Sequence, residues 1–263
     1  MKISHRYTLL TLALSLAVCG SALAADNSIT VSGEHTNFSN DRGDRTIGSV
    51  EYKAKAGAAT FVIGGAHGRR DYGNDADFSG SRIEGSLYYD WNDKLSTRTY
   101  GAWGTNDPVF ADSRIGQTFY LKLIPRTVFQ LGVSQTEYFG DVDMRAYTAG
   151  VAYYFDRVTV SYRHNRYDVK GLDRSNGNVV SLRLKDTDGR GNTQLWLGDG
   201  TTVHDYEFLE DVAQGDRRSV MLRRVQPVGA STDINFNLGK TWYERPIGDY
   251  QGLQVGVGVT VGW

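Results

Sequence analysis

A chain of 263 residues carrying 29 Lys+Arg against 30 Asp+Glu is close to neutral. That balance excludes the strongly basic footprint of a nucleic-acid binder, and the length suits one large domain or two small ones. A single cysteine excludes a disulfide framework.

The first predicted element is an export signal over residues 1–24. Lys2, His5 and Arg6 form a basic start, and Thr8 to Val18 is an apolar run too short to span a bilayer as a helix. Ala22-Leu23-Ala24 supplies the small-x-small pattern of a cleavage site. A buried core helix is the alternative, but it would stand isolated at the head of a polar β chain. Cys19 lies inside this segment, and Val18 stands where a lipid-attachment site calls for a small residue. Loss of Cys19 with the signal is expected. Residues 25–263 then hold no cysteine, 27 basic and 30 acidic residues, and no apolar run long enough for a membrane helix.

Strands follow in chain order. Alternation predicts 14 of them, at 28–38, 46–55, 58–68, 81–91, 94–104, 114–124, 127–137, 144–155, 157–166, 177–185, 192–199, 216–225, 232–242 and 250–263. Alternation is least clean at 46–55, 192–199 and 216–225, which makes 12 strands the fallback. Successive side chains of a strand point to opposite faces. Ile83, Gly85, Leu87, Tyr89 and Trp91 share one face, as do Phe129, Leu131 and Val133. Tyr147, Ala149, Val151, Tyr153 and Phe155 form another such row, then Val180, Leu182 and Leu184. The last strand is clearest: Leu253, Val255, Val257, Val259, Val261 and Trp263 alternate with Gln254, Gly256, Gly258, Thr260 and Gly262. A water-soluble barrel would turn such rows inward, but the opposite rows are glycine, hydroxyl and charge, which suit a wet lumen. Tyr89, Trp91, Tyr153, Phe155 and Trp263 gather at one set of strand ends, and Trp103, Tyr138, Tyr147, Trp242 and Tyr243 near the other. Two aromatic belts are what bilayer interfaces select.

Short links at 55–58, 92–94, 125–126, 156–157, 186–191 and 226–231 alternate with mostly longer polar ones at 39–45, 69–80, 105–113, 138–143, 166–176, 198–216 and 243–249. Tight periplasmic turns and longer outer loops follow that rule. The expected fold class is therefore all-β, a single antiparallel up-and-down transmembrane β-barrel over 25–263, located in the Gram-negative outer membrane.

Several stretches carry a family resemblance: Gly68-Arg69-Arg70-Asp71-Tyr72, Thr97-Arg98-Thr99, Pro108-Val109-Phe110-Ala111, Thr193-Gln194-Leu195-Trp196-Leu197, Gly239-Lys240-Thr241-Trp242-Tyr243 and Asp249-Tyr250-Gln251-Gly252-Leu253-Gln254. In these the chain resembles the YaiO family of outer-membrane β-barrel proteins over nearly its whole exported length. The terminal Trp263 departs from the usual Phe. The resemblance implies fold and location, and carries over no activity residue by residue.

The chemistry-bearing residues are few. His35, His67, His164 and His204 are the only histidines after the signal, and His204-Asp205 sits in an acidic stretch with Glu207, Glu210 and Asp211. A rim hydrolase would need that histidine oriented by a carboxylate beside a nucleophile or activated water. A solvated acidic loop is the plainer reading, so no catalytic residue, cofactor or metal site is assigned. Asp71, Asp75 and Asp77 are read the same way, as hydrated loop rather than a site for bridging ions.

If the apolar rows face lipid, Lys53, Arg82, Arg98, Lys122, Arg157, Arg163, Arg183, Lys185 and Arg223 face the lumen or its rims, against Glu51, Glu84, Asp90 and Asp233. Unpartnered charge is too costly in a dry interior, so such a wall is wet, internally paired, or both. Tyr88, Tyr100, Tyr120 and Tyr154 share the inward phase and offer stacking faces to sugars. The expected function is non-enzymatic: a narrow channel or binding barrel for a polar, anionic or saccharide-like solute. The alternative is a closed structural or adhesive barrel plugged by ion pairs. Expected partners are outer-membrane lipid, lipopolysaccharide and the barrel assembly machinery, with Val257, Val259, Val261 and Trp263 as the C-terminal assembly signal. Oligomeric state leaves no signal separable from lipid contact.

Overall fold

A computed structural model describes residues 26–73, 77–105, 108–140, 142–202, 215–245 and 248–263. They form fourteen strands: β1 Ser28–Phe38, β2 Asp44–Ala56, β3 Ala59–Asp71, β4 Asp77–Asn92, β5 Leu95–Gly104, β6 Ser113–Ile124, β7 Thr127–Tyr138, β8 Val142–Tyr154, β9 Val158–Val169, β10 Ser175–Lys185, β11 Asn192–Thr202, β12 Gly215–Pro227, β13 Thr232–Glu244 and β14 Tyr250–Gly262. Each pairs antiparallel with its chain neighbours, and β1 pairs with β14 from Ser28↔Gly262 to Phe38↔Gly252. The sheet is therefore closed, with no free edge. Closure matters in hydrocarbon, where no water is present to satisfy an open row of N–H and C=O groups.

All fourteen predicted strands are present, including the three whose alternation is least clean. Several are longer than predicted at one end: β3 runs to Asp71 rather than 68, and β9 to Val169 rather than 166. At one rim the links are tight. β2 and β3 are joined through Gly57 and β6 and β7 through Arg126, both at positive φ (59° and 61°), as two-residue hairpin turns demand. The start of β1 and the end of β14 lie at this rim, where Asn27 and Trp263 exchange backbone hydrogen bonds. It is the periplasmic rim by the rule for such barrels.

Side-chain exposure settles which face is which. Ile83 is 65 % exposed, Leu123 63 % and Val255 54 %, whereas Phe38 on the opposite face of β1 is 8 % exposed. Apolar rows thus clothe the outside. A water-soluble barrel would show the reverse.

Aromatic pairs mark the periplasmic end of that apolar band: Tyr52 stacks on Trp263 at 6.2 Å, and Tyr89–Trp91 and Tyr153–Phe155 meet edge-on at 4.7 Å. At the loop end Trp103 and Tyr147 point outward, and Lys240 lies 5.0 Å over Trp242. Tyr138 and Tyr243, expected in this outer belt, turn inward instead, because they occupy the same phase as lumenal Gln130 on β7 and Asn237 on β13. Beyond the band the outer rows become polar. His35, His67 and His164 each hydrogen-bond through Nδ1 to the residue directly across on the next strand, Thr46, Ser81 and Asn178 (2.9–3.0 Å). This polar collar is what lengthens the strands past their predicted ends.

One outward charge lies close to the periplasmic rim. Arg224 of β12 donates from both Nη atoms to the two oxygens of Asp186, in the β10–β11 link, at 2.5–2.6 Å. Those bonds hold the Asp186 carboxyl below the usual aspartate range. A depressed folded-state value means the pair contributes fully above about pH 4, near the unfolded aspartate pKa, and fades as pH falls through the lower folded value. The difference in unfolding midpoint between wild type and Asp186→Asn will accordingly stay constant from pH 7 down to about 4 and shrink below it. A difference already fading by pH 6 would contradict the pairing.

Candidate functional site: the basic lumen and its mouth

The register places the predicted lumenal residues as follows. Lys53, Arg82, Glu84, Arg98, Lys122, Arg163, Arg183, Lys185 and Arg223 all lie on the inner face, in phase with the glycine and hydroxyl row of β14. Arg157 lies just before β9, at the rim, where its guanidinium donates to the Lys185 carbonyl (3.1–3.2 Å). The same phase adds five bases that sequence reasoning left out: Arg45, Lys55, Arg70, Arg114 and Arg217. Four of them sit at the loop ends of their strands, where the signal was only a continued parity. Inner-face acids are Glu34, Glu51, Glu84, Asp90 and Asp233. Thirteen strand-borne bases thus face five acids.

These charges meet mostly neutral partners. Arg98 donates to Ser86 Oγ (3.0 and 3.3 Å) and lies 4.9 Å over Tyr100 and 5.3 Å over Tyr88. Arg223 donates to Asn235 Oδ1 at 3.3 Å, and Asn235 to Thr260 at 2.9 Å. Arg82–Glu84 (3.4 Å) and Arg45–Glu34 (3.6 Å) are ion pairs. Among the described residues, Arg98, Arg163, Arg183 and Arg223 have no acid within 4 Å. Arg163, Arg183 and Arg223 are solvent-exposed. A cation without a partner survives inside a protein only where water reaches it, so the middle and periplasmic lumen is wet. Hydroxyl pairs line it between the charges, Ser32–Ser49 at 2.6 Å, Ser161–Ser181 at 2.8 Å and Thr30–Thr260 at 2.9 Å.

The mouth differs. The β5–β6 link folds inward, so that Val109 and Phe110 (both 8 % exposed) pack on Ala66, Ile47 and Phe78 from β3, β2 and β4. Glycine makes the seat: a Cβ on Gly68 would stand 2.9 Å from Val109 Cγ1, and one on Gly104 would stand 2.4 Å from the Ala111 carbonyl oxygen. Around it runs a layer of alternating guanidinium and ring. Arg70 lies 4.0 Å over Phe38 and 4.3 Å over Tyr72, Arg42 4.4 Å over Tyr250, and Arg82 5.0 Å over Phe110. Tyr243 and Tyr250 stack face to face at 4.3 Å. Among the described residues, rings and stacked guanidinium groups thus fill much of the mouth, beside the Arg45–Glu34 pair. A small cavity of about 50 Å³ remains within this layer, lined among the described residues by Phe38, Arg45, Arg70, Tyr72, Pro108, Val109, Phe110, Ala111, Tyr138, Tyr243 and Tyr250.

Other predicted features fall elsewhere. His204, Asp205, Glu207, Glu210, Asp211 and Asp75 lie outside the described residues. Asp77 pairs with Arg69 on the outer surface. Among the described residues, no three His, Cys, Asp or Glu side chains gather as a metal site would require. Val257, Val259 and Val261 stand on the outer face of β14, along the seam with β1, and Trp263 follows at its end.

The YaiO membrane beta barrel domain matches residues 26–207. Among solved structures, the chain is similar to a bacterial polysaccharide outer membrane secretin, with TM-score 0.59 and 10% identity over 92% of this chain and 99% of that one. It is similar to the CymD monoaromatic hydrocarbon channel, with TM-score 0.56 and 9% identity over 100% and 94%. It is also similar to the outer membrane protein Omp33 of Acinetobacter baumannii, with TM-score 0.51 and 9% identity over 92% and 100%. At such identities the likeness is one of fold.

Proposed function

We propose that this chain, which belongs to the YaiO membrane β-barrel family, is a non-enzymatic outer-membrane channel or binding barrel for a polar, anionic solute. The surplus of thirteen inner-face bases over five acids carries this reading. A low-dielectric wall focuses the field of that surplus along the axis, which concentrates anions and repels cations. Fourteen strands lie between the eight that side chains fill and the sixteen or more that leave a broad aqueous channel. A narrow passage follows.

In planar bilayers the purified barrel will conduct with a reversal potential displaced toward anions. Replacing Arg98, Arg163 and Arg183 together by glutamine will cut that preference several-fold. Cation preference in the wild type, or no conductance above background, would overturn the channel form. A second reading, a barrel closed at its outer end, draws on the buried Val109–Phe110 packing. It expects the triple variant to change thermal stability and leave permeation at zero. Export by a cleaved signal and insertion through the barrel assembly machinery, guided by Val257, Val259, Val261 and Trp263, complete the proposal.

A further inference from the structure

We infer that the outer wall of β8, β9 and β10, at its loop end, docks the phosphorylated headgroup of lipopolysaccharide from the outer leaflet. This goes beyond the channel reading and is independent of what passes through the lumen. Among the described residues, five strand-borne arginines point outward. Three are paired with acids: Arg69 with Asp77, Arg218 with Asp199 and Glu244, and Arg224 with Asp186. The other two, Arg145 on β8 and Arg166 on β9, are exposed and make no ion pair or hydrogen bond among the described residues. They are also neighbours. Arg166 lies directly across from Tyr147 and Arg145 across from Asp168, which sets the two on a diagonal about 7–8 Å apart. Asp168 takes Arg174, just before β10, at 3.5 Å.

Depth decides what such a pair meets. Tyr147 belongs to the aromatic belt at the loop end, so Arg166 beside it stands at the bilayer interface, the level of lipid phosphates. A guanidinium takes a phosphate through two parallel, charge-assisted N–H···O bonds. The outward acids Asp143 and Glu137, directly across from each other, lie further toward the loops. The basic end of the patch is therefore the one against the bilayer. Polar groups continue below it on the lipid face. His164 Nδ1 and the Tyr162 hydroxyl both donate to Asn178 Oδ1, at 2.9 and 2.8 Å. The Asn178 amide nitrogen is left without a partner among the described residues. An unsatisfied N–H beside hydrocarbon is costly, and the acyl-linkage carbonyls of a glycolipid headgroup lie at the depth to accept from it. A bisphosphorylated glucosamine headgroup thus brings two anions to two unpaired cations, and acceptors to the amide.

The test uses the full barrel purified in detergent and titrated with bisphosphorylated lipid A, its dephosphorylated form and phosphatidylglycerol. Native mass spectrometry counts the lipid bound. Bisphosphorylated lipid A is expected to bind about tenfold or more tighter than either of the others, the worth of one charge-assisted contact. Replacing Arg145 and Arg166 together by glutamine should bring it down to the level of the dephosphorylated form. Asn178→Leu, an independent change in the same wall, should weaken both forms of lipid A alike. Arg218→Gln removes an outward arginine that already has acid partners and should leave the preference intact. Equal binding of the three lipids would overturn the site, as would a double variant that keeps the wild-type preference. An Arg218→Gln loss as large as that of the double variant would mean that any outward charge serves, which sinks the assignment to this pair. Phosphatidylglycerol binding as tightly as bisphosphorylated lipid A would overturn the choice of occupant.

Discussion

Val257→Arg will destabilise the folded barrel in lipid by about 2–4 kcal/mol, the cost of an arginine held near the bilayer midplane. Val257 is the middle residue of the outer row on β14, 51 % exposed, with Gly33 of β1 and Phe236 of β13 directly across. No polar group in that row lies within easy reach, so the guanidinium must snorkel or drag water inward. Arg183→Leu makes the complementary change on the inner face. Its guanidinium stands in the wet lumen without an acid partner, so its loss should cost less than about 1 kcal/mol. Urea unfolding in vesicles measures both. Were the two faces exchanged, Val257 would tolerate the charge poorly for packing reasons, but Arg183→Leu would also place leucine against solvent without strain. The diagnostic is therefore the membrane dependence. The Val257→Arg penalty must grow in thicker bilayers, and a penalty indifferent to bilayer thickness would remove the lipid assignment.

The same physical asymmetry explains what alternation can and cannot reveal. Wherever one face meets hydrocarbon and the other meets water, period two is written directly into the residues, as in β14, and the strand is legible. β11 and β12 read poorly because their faces mix. Trp196 and Met221 point inward against each other, while Asp199, Arg218 and Arg224 point outward at the two ends of the apolar band. The polar collar was harder still. His67, Arg69 and Asp71 continue the outer row of β3 in water, where no transfer energy enforces a pattern.

The mouth was the least legible region. Val109 and Phe110 are two apolar residues in a polar link, and nothing in their spacing says they fold inward. Tyr243 differs from Trp242 only in parity, so its inward turn follows once β13 is registered against β14. Arg45 and Arg70 carry the same lesson. Both extend a lumenal row into ends of strands that alternation alone had trimmed, and with Lys55, Arg114 and Arg217 they turn a modest basic excess into a marked one.

Because the docked link narrows the mouth, Gly68→Val should open it. Gly68 sits on β3, hydrogen-bonded on both sides to β2 and β4, while its missing side chain faces Val109, Ile47 and Phe110. A Cβ there would stand 2.9 Å from Val109 and 3.2 Å from the other two, and the further methyls of valine would reach deeper. Something must move. The sheet is fixed by its ladders on either side, whereas the 108–111 segment is held by side-chain packing and by Gly104 and Asp112 at its base. The segment therefore leaves its seat first, taking Phe110 away from Arg82 and removing one wall of the cavity. Single-channel conductance should rise about twofold or more as the constriction widens. Gly65→Val, three residues back on the lipid face, is the control. A Cβ at Gly65 meets only the Arg82 carbonyl oxygen at 3.8 Å, an ordinary contact, and should leave conductance unchanged. Equal conductance in wild type and Gly68→Val, in a barrel shown by circular dichroism to be intact, would mean that the link does not set the width of the passage.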